Sequence, residues 1–137
     1  MSASLAEQIA MFLHQEGLAK WVADGDGGNL FIEVLPPSPD TCIMVRHTGG
    51  YAGAGIPLIQ PTFQLYVRGD TDPRTARDLA YDALKALRYH EGQLVPGGDA
   101  VSIVWPMQDH PIYVGIDENG RHEYSVNLML RVNEQVR

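Results

Sequence analysis

The sequence has a single cysteine and no long uninterrupted apolar segment. Cys42 therefore cannot form a disulfide within the chain, and its apolar neighbours Ile43 and Val45 indicate a buried, unreactive thiol. No segment approaches the roughly 20 apolar residues that a membrane-spanning helix needs. The first residues also lack the basic region and apolar run of a signal peptide. We therefore expect a soluble protein that is made in the cytosol and does not bind a membrane.

Basic residues are scarce too. The chain has 10 Lys and Arg against 17 Asp and Glu, which gives a formal net charge of −7. Proteins that grip nucleic acid need clustered basic side chains, so this balance argues against DNA binding as the main task. It is compatible with an acidic wall that repels phosphates and lets DNA pass without holding it. The length of 137 residues and the hydrophobic content of 45% fit one globular domain over residues 1–137.

Patterns that would indicate catalysis or metal binding are missing as well. The five histidines share no short spacing such as HxH or HExxH. Asp24 and Asp26 lie in a glycine-rich turn, but position twelve of a calcium loop starting at Asp24 would be Leu35 instead of glutamate. The segment from Gly50 to Gly55 lacks the Gly-Lys-Ser/Thr of a phosphate-binding loop. We predict a protein that is not an enzyme and uses no metal and no cofactor.

Two amphipathic helices are predicted. Ser4 and Glu7 form a capping box ahead of the first helix, and Gly17 is placed to end it. Asp72 is a good N-cap for the second helix, with Pro73 at its first position. Each helix has one apolar face, which must pack on a sheet or a partner. The apolar positions are Leu5, Ile9, Phe12 and Leu13 in the first helix and Ala76, Leu79, Ala80, Ala83, Leu84 and Leu87 in the second.

Six strands are predicted from alternating apolar and polar residues. Residues 30–35 and 43–46 flank the proline-rich segment 36–40, and we expect them to form an antiparallel hairpin. The third strand covers 61–68. Three more follow the second helix, and a hairpin turn at 117–120 precedes the long last strand. The order α-β-β-β-α-β-β-β predicts an α+β fold, a largely antiparallel mixed sheet with two helices packed on one face.

The connection between the second and third strands is long and partly apolar. About a dozen residues separate the two strand patterns, whereas a hairpin loop normally needs two to five. A loop of this length is usually functional or disordered, and apolar side chains on it indicate burial against another subunit or partner. Those side chains are Tyr51, Ile56, Leu58 and Ile59.

Two arginines are predicted to flank this connection. Arg46 and Arg68 each close a strand beside the loop and are expected on the same side of the sheet. Two interpretations stay open: solubility at a strand end, or guanidinium groups that dock carboxylates on a neighbouring subunit. Trp105 and Tyr113 are likewise open between the core and an interface.

Three segments of the chain resemble one protein family. They are MVRHTGGY at 44–51, PTFQLYVRG at 61–69, which an Ala/Leu-rich helix follows, and PIYVGIDENGRHEYSVNLMLRV at 111–132. Their order resembles the tail terminator family of long-tailed bacteriophages, whose members are also labelled minor capsid or head-tail joining proteins. The resemblance covers the chain from about residue 30 to its C-terminus, and the first helix in placement only.

The resemblance implies a structural virion protein. Tail terminators form a ring, usually a hexamer, at the head-proximal end of the tail tube. The ring stops tube polymerisation, docks to the head connector and surrounds the channel through which DNA leaves. The partners implied are further copies of the chain, the tail tube protein and the connector protein, with DNA passing non-specifically. The location implied is the virion neck, with the host cytoplasm during assembly.

The resemblance also marks the residues that we expect at a subunit or partner interface. Those carried over from the family pattern are Arg46, Gly49, Gly50, Gln64 and Arg68. The connecting segment adds Tyr51, Ile56, Leu58 and Ile59. The alternative is a head-tail adaptor or another non-enzymatic α+β binding module.

Overall fold

The structure is a computed structural model that describes residues 3–51 and 58–133. Within those residues the chain forms two helices and six strands in the predicted order. They are α1 Leu5–Gln15, β1 Leu30–Ile32, β2 Cys42–Tyr51, β3 Leu58–Arg68, α2 Pro73–Leu87, β4 Ala100–Pro106, β5 Ile112–Ile116 and β6 His122–Asn133. The predicted α+β fold is confirmed. None of the described helices is long and apolar enough to cross a membrane.

Both helices begin where the sequence predicts. The Ser4 hydroxyl accepts the amide N–H of Glu7, and the Glu7 carboxylate accepts the amide N–H of Ser4, which completes the capping box. Gly17 follows the end of α1 with a φ of +77°, a conformation that glycine adopts without strain. In α2 the Asp72 carboxylate accepts the amide N–H of Arg74, and Pro73 occupies the first turn.

The sheet has the order β1-β2-β3-β6-β4, and β5 also pairs with β6. The long strand β6 pairs with β3 along one side. On its other side it pairs with β4 near its C-terminal end and with β5 near its N-terminal end. The sheet therefore has two opposite edges. One is formed by β1 and the end of β2 beyond it, and the other by β4 and β5.

The first two strands are parallel, so the predicted antiparallel hairpin is wrong. Leu30, Phe31 and Ile32 pair with residues 43–45 of β2 in parallel register. The chain leaves β1 through Glu33, which has a φ of +65°, and residues 34–41 return to the start of β2. Because β1 is only three residues long, this short connection can make the crossover that parallel strands need.

The apolar core lies between the helices and one face of the sheet. Strand residues with odd numbers in β2 and β3 and even numbers in β6 point into it, as the alternation predicts. They meet the apolar faces of α1 and α2, so both helices cover the same side. The core residues that β2, β3 and β6 contribute are Ile43, Val45, Phe63, Leu65, Val67, Val126, Leu128, Leu130 and Val132.

Candidate assembly surfaces

The connection between β2 and β3 is shorter than the sequence predicts. β2 continues to Tyr51 and β3 begins at Leu58, so the strands take up much of the predicted loop. Tyr51 pairs with Gln60, and Ile59 pairs with Val132 of β6. Leu58 and Ile59 are therefore half-buried strand residues. Ile56 lies outside the described residues.

Two glycines let the strands continue. Gly49 has a φ of +101° within an irregularity of the pairing between His47 and Gly50, where an L side chain would be strained. At Gly50, a Cβ atom would lie 2.6 Å from the carbonyl oxygen of Gln60 and 2.8 Å from the Cα of Pro61. Only glycine allows β2 to approach β3 this closely. Both glycines thus have a structural role, and their role at an interface stays a prediction.

Arg46 lies in the middle of β2 on the sheet face opposite the helices. It is exposed and pairs with Gln64 of β3 across the strands. Its guanidinium contacts the sulfur of Met44 at 4.0 Å. Among residues 3–51 and 58–133, no carboxylate lies within salt-bridge distance of it. Arg46 is available to an external carboxylate, as the interface interpretation requires.

Arg68 has a different position from the one predicted. It lies at the far end of β3 from the connection, opposite Cys42, although it does share a sheet face with Arg46. Its side chain is 3% exposed. The guanidinium donates to the carbonyl oxygen of Asp40 at 3.0 Å and to that of Pro39 at 2.7 Å. Because Arg68 is buried and its two hydrogen bonds hold the 36–40 segment in place, we leave it out of the proposed interface.

Arg121 is a second buried arginine that the sequence analysis missed. It is 7% exposed and joins the hairpin turn before β6 to the proline-rich segment. Its Nε donates to the Asp117 carboxylate at 2.8 Å, and its Nη1 donates to the Pro37 carbonyl at 2.6 Å and to the Asp40 carboxylate at 3.2 Å. The turn motif alone could not reveal this, because the acceptors on the proline-rich segment lie about 80 residues away in sequence.

The protein environment shifts the pKa values of several ionisable groups at this end of the sheet. The Asp117 carboxylate accepts the amide N–H of Arg121, its guanidinium and the amide N–H of Asn119, and these bonds hold its pKa below the usual value. Burial raises the pKa of Glu123, whose side chain is hydrogen-bonded to Tyr66, and burial also raises the pKa of that phenol. Burial raises the pKa of the Cys42 thiol too, which agrees with the predicted inert cysteine.

The histidines make local contacts that explain their positions. His14 accepts the amide N–H of Trp21 through Nδ1 at 3.0 Å, His47 stacks on Phe63, and His110 stacks on Tyr81. His122 contacts the hydroxyl of Tyr113 through Nδ1 at 2.9 Å. In the part of the chain that the structure describes, no three His, Cys, Asp or Glu side chains are grouped to hold a metal ion.

Exposed apolar side chains are concentrated at the two edges of the sheet. Nine large apolar side chains among the described residues are exposed, by 45% to 65%. Six follow the outer side of β6, namely Tyr89, Trp105, Ile112, Tyr113, Val114 and Ile116. Met107 lines a groove on the sheet face away from the helices, together with Thr48, Tyr51 and Thr62. The other two, Val34 and Tyr51, lie at the opposite edge, after β1 and at the end of β2. Trp105 and Tyr113, which the sequence left open between core and interface, are thus half-exposed edge residues.

We call the edge formed by β4 and β5 the β5 edge, and the edge formed by β1 and residues 46–51 of β2 the β2 edge. The backbone of β4 at the β5 edge is largely covered, because residues 89–92 exchange hydrogen bonds with Val101 and Val104. The backbone of β5 pairs with β6 on one side, and its other side has no strand partner within the described residues. At the β2 edge, β1 covers only residues 43–45, so residues 46–51 pair with β3 but have no strand on their outer side in the same described region, where the His47 amide N–H donates to the Glu33 carboxylate at 2.8 Å.

Comparisons with known proteins agree with this architecture. A chain in the solved virion of a native gene transfer agent (GTA) particle has a similar fold, with a TM-score of 0.62 and 17% sequence identity over 96% of this chain and 98% of that one. No curated protein sequence matches the chain. The family model of the bacteriophage tail terminator protein matches residues 12–134. The chain therefore belongs to the bacteriophage tail terminator family, a family of structural tail proteins.

Proposed function

We propose that this protein forms a closed ring at the head-proximal end of the tail tube, stops tube polymerisation and docks to the head connector. The observation that carries the proposal is the concentration of exposed apolar side chains at two opposite edges of one sheet. Two different surfaces at opposite ends of a subunit are what head-to-tail association needs, and such association closes into a ring when its rotation closes.

The family sets the number of subunits that we expect. The tail terminators that this chain resembles usually form hexamers, so we propose six copies around a channel. The net charge of −7 fits a channel that DNA crosses without being held. One face of the ring would match the growing end of the tube, and the other would present a different surface that tube protein cannot extend.

The interface proposed from the sequence is kept in part. Arg46, Gly49, Gly50 and Tyr51 lie on the β2 edge, and Arg46 is the polar contact that we expect with a neighbour's carboxylate. Gln64 lies beside Arg46 on β3 and belongs to the same surface. Leu58 and Ile59 are half-buried within the sheet, so we give them a smaller share of the contact.

Tube length is the experiment that tests this function. Tail tube protein would be polymerised with and without the purified chain, and tube lengths would be measured in electron micrographs. We expect tubes of limited length with a ring at one end when the chain is present, and tubes that keep growing when it is absent. Unlimited growth and bare ends in its presence would contradict the proposal.

The alternative function is a head-tail adaptor that binds the connector without ending the tube. The same experiment separates the two. An adaptor would leave tube growth unchanged and would bind connector protein alone.

A further inference from the structure

We infer that β5 adds as a strand to the β2 edge of a second copy of this chain, so that the sheets of neighbouring subunits join through backbone hydrogen bonds. This inference rests on the proposed ring and specifies which elements form its contact.

The first observation is that β5 is an open edge strand with apolar side chains on both faces. Ile112, Tyr113, Val114 and Ile116 are 45%, 49%, 46% and 58% exposed. Soluble proteins usually protect such an edge with charges, a covering segment or a very short strand, because it can pair with another chain. β5 is five residues long and has no charged residue within it, and its pairing with β6 shifts register between Tyr113 and Gly115, which leaves Val114 without a direct partner on β6. An edge of this kind is suited to strand addition.

The second observation is the size of the apolar surface. Six large side chains of roughly 200 Å² each, about half exposed, present on the order of 600 Å² along the two faces of the β5 edge. The largest apolar patch of a typical monomer is about 300–600 Å². One side of a standard stable protein interface buries about 800 Å². The β5 edge is therefore large enough to be most of one side of a permanent contact.

The third observation identifies the occupant as a second copy. The β2 edge of the same chain offers a stretch of similar length at the opposite end of the sheet, residues 46–51, which pairs with β3 on one side and has no second strand partner among the described residues. On its outer side the His47 amide N–H donates to the Glu33 carboxylate and the Gly49 carbonyl contacts the His47 ring, so strand addition there must replace these two side-chain contacts. The β2 edge also carries Tyr51 at 57% exposure and the exposed Arg46 cation, which has no salt bridge within residues 3–51 and 58–133. Glu118, an exposed carboxylate in the turn after β5, provides the opposite charge. A second copy thus supplies a complementary strand, aromatic contact and charge.

A single lysine on β5 tests the inference. Val114→Lys places a charge in the middle of the open strand, and Gln15→Lys adds the same charge to the exposed end of α1 as a matched control. We expect Val114→Lys to raise the protein concentration at which half of the chains are in rings by tenfold or more, as measured by native mass spectrometry. Gln15→Lys should leave it unchanged. Both variants should melt within a few degrees of the wild-type chain, because both sites are exposed.

Cross-linking tests the pairing itself and does not depend on the lysine variant. A chain with both Thr48→Cys and Val114→Cys would be treated with a short bismaleimide. Cys42 is buried and should not react. Pairing of β5 with the β2 edge predicts a ladder of multimers from the double variant and little cross-linking from either single variant. A strong dimer from Val114→Cys alone would show that β5 pairs with itself, which would overturn the inference.

The outcomes separate this inference from the proposed function. If Val114→Lys forms rings as the wild-type chain does, β5 is not the subunit contact, although the ring proposal stands. If those rings form but no longer cap tubes, the tube protein occupies β5 and the inference is wrong. If the wild-type chain forms no ring at any concentration, with or without tail tubes, the proposed function fails as well.

Discussion

The two arginines that the sequence pairs should behave in opposite ways when each is replaced by alanine. They are the same residue type on the same face of the sheet, but Arg68 is 3% exposed and Arg46 is exposed. We expect Arg68→Ala to destabilise the fold without a direct effect on the contact between subunits. We expect Arg46→Ala to weaken ring formation and leave the fold intact.

The structure sets the size of each effect. The Arg68 guanidinium makes two short hydrogen bonds to the carbonyls of Pro39 and Asp40, and the variant would leave both acceptors without this partner. A hydrogen bond to a charged group contributes about 1.5–3 kcal/mol, so we expect a loss of roughly 3–5 kcal/mol in the free energy of unfolding. A loss of this size lowers the melting temperature by about 10 °C or more. Arg46→Ala should change the free energy of unfolding by no more than about 0.5 kcal/mol.

Urea unfolding followed by circular dichroism measures the first effect, and native mass spectrometry of the folded variants measures the second. Arg68→Lys is a useful control, because it keeps the charge but loses the planar fork that reaches two carbonyls. We expect its stability to lie between wild type and Arg68→Ala. If Arg68→Ala unfolded at the wild-type urea concentration and yet lost the ring, the internal hydrogen bonds would be irrelevant and Arg68 would act at an interface.

Two further predictions concern the glycines of β2 and the turn before β6. Gly50→Ala should cost about 2 kcal/mol or more of unfolding free energy in urea titrations, because its Cβ would lie 2.6 Å from the Gln60 carbonyl oxygen. Gly49→Ala, at a φ of +101° in open space, should cost about 1 kcal/mol. Equal costs for the two variants would refute the close approach of β2 and β3 as the reason for glycine at position 50. The pKa of Asp117 is lowered in the folded protein, so its ionised form contributes stability above the usual carboxyl pKa of about 4, and this contribution is lost as the pH falls through the lowered value. The gap in stability between wild type and Asp117→Asn should therefore be wide at neutral pH and narrow in acid, and a gap that stays constant would contradict the pKa shift.

Local sequence patterns predicted the helices and the core well. The capping box at Ser4, the N-cap at Asp72 and the alternation in β6 depend on neighbours a few residues apart. Such short-range signals are visible in one sequence. The structure confirmed the fold class and the placement of both helices on one face for this reason.

The parts that the sequence could not predict depend on distant contacts. A short apolar segment such as residues 30–32 does not show whether it pairs in parallel or antiparallel, and the proline-rich segment after it resembles a hairpin connection. An arginine at a strand end, such as Arg68, is expected to be exposed, and only its contact with the 36–40 segment in the folded chain shows that it is buried. Both errors come from the position of this segment, because Arg68 and Arg121 hold it against the end of the sheet through hydrogen bonds to the carbonyl oxygens of Pro39 and Pro37.

The sequence predicted only part of the candidate interface. The Gly-rich segment after Arg46 indicated the β2 edge, where residues 46–51 pair with β3 and have no strand on their outer side among the described residues. At the β5 edge the sequence indicated only Trp105 and Tyr113, which stayed open between core and interface, because the pattern of Ile112, Val114 and Ile116 is typical of one face of an ordinary strand. Their exposure depends on β5 lying at the outer side of β6, with nothing beyond it in the described structure.

The central claim is that copies of this chain close into a ring through unlike edges of the sheet. The most direct test is the native mass of the chain, measured alone and bound to the ends of tail tubes. The account predicts a discrete assembly of six times the chain mass of 15.1 kDa, which is lost in Val114→Lys and kept in Gln15→Lys. A wild-type chain that stays a monomer under both conditions, or an open series of multimers without a closed size, would contradict it.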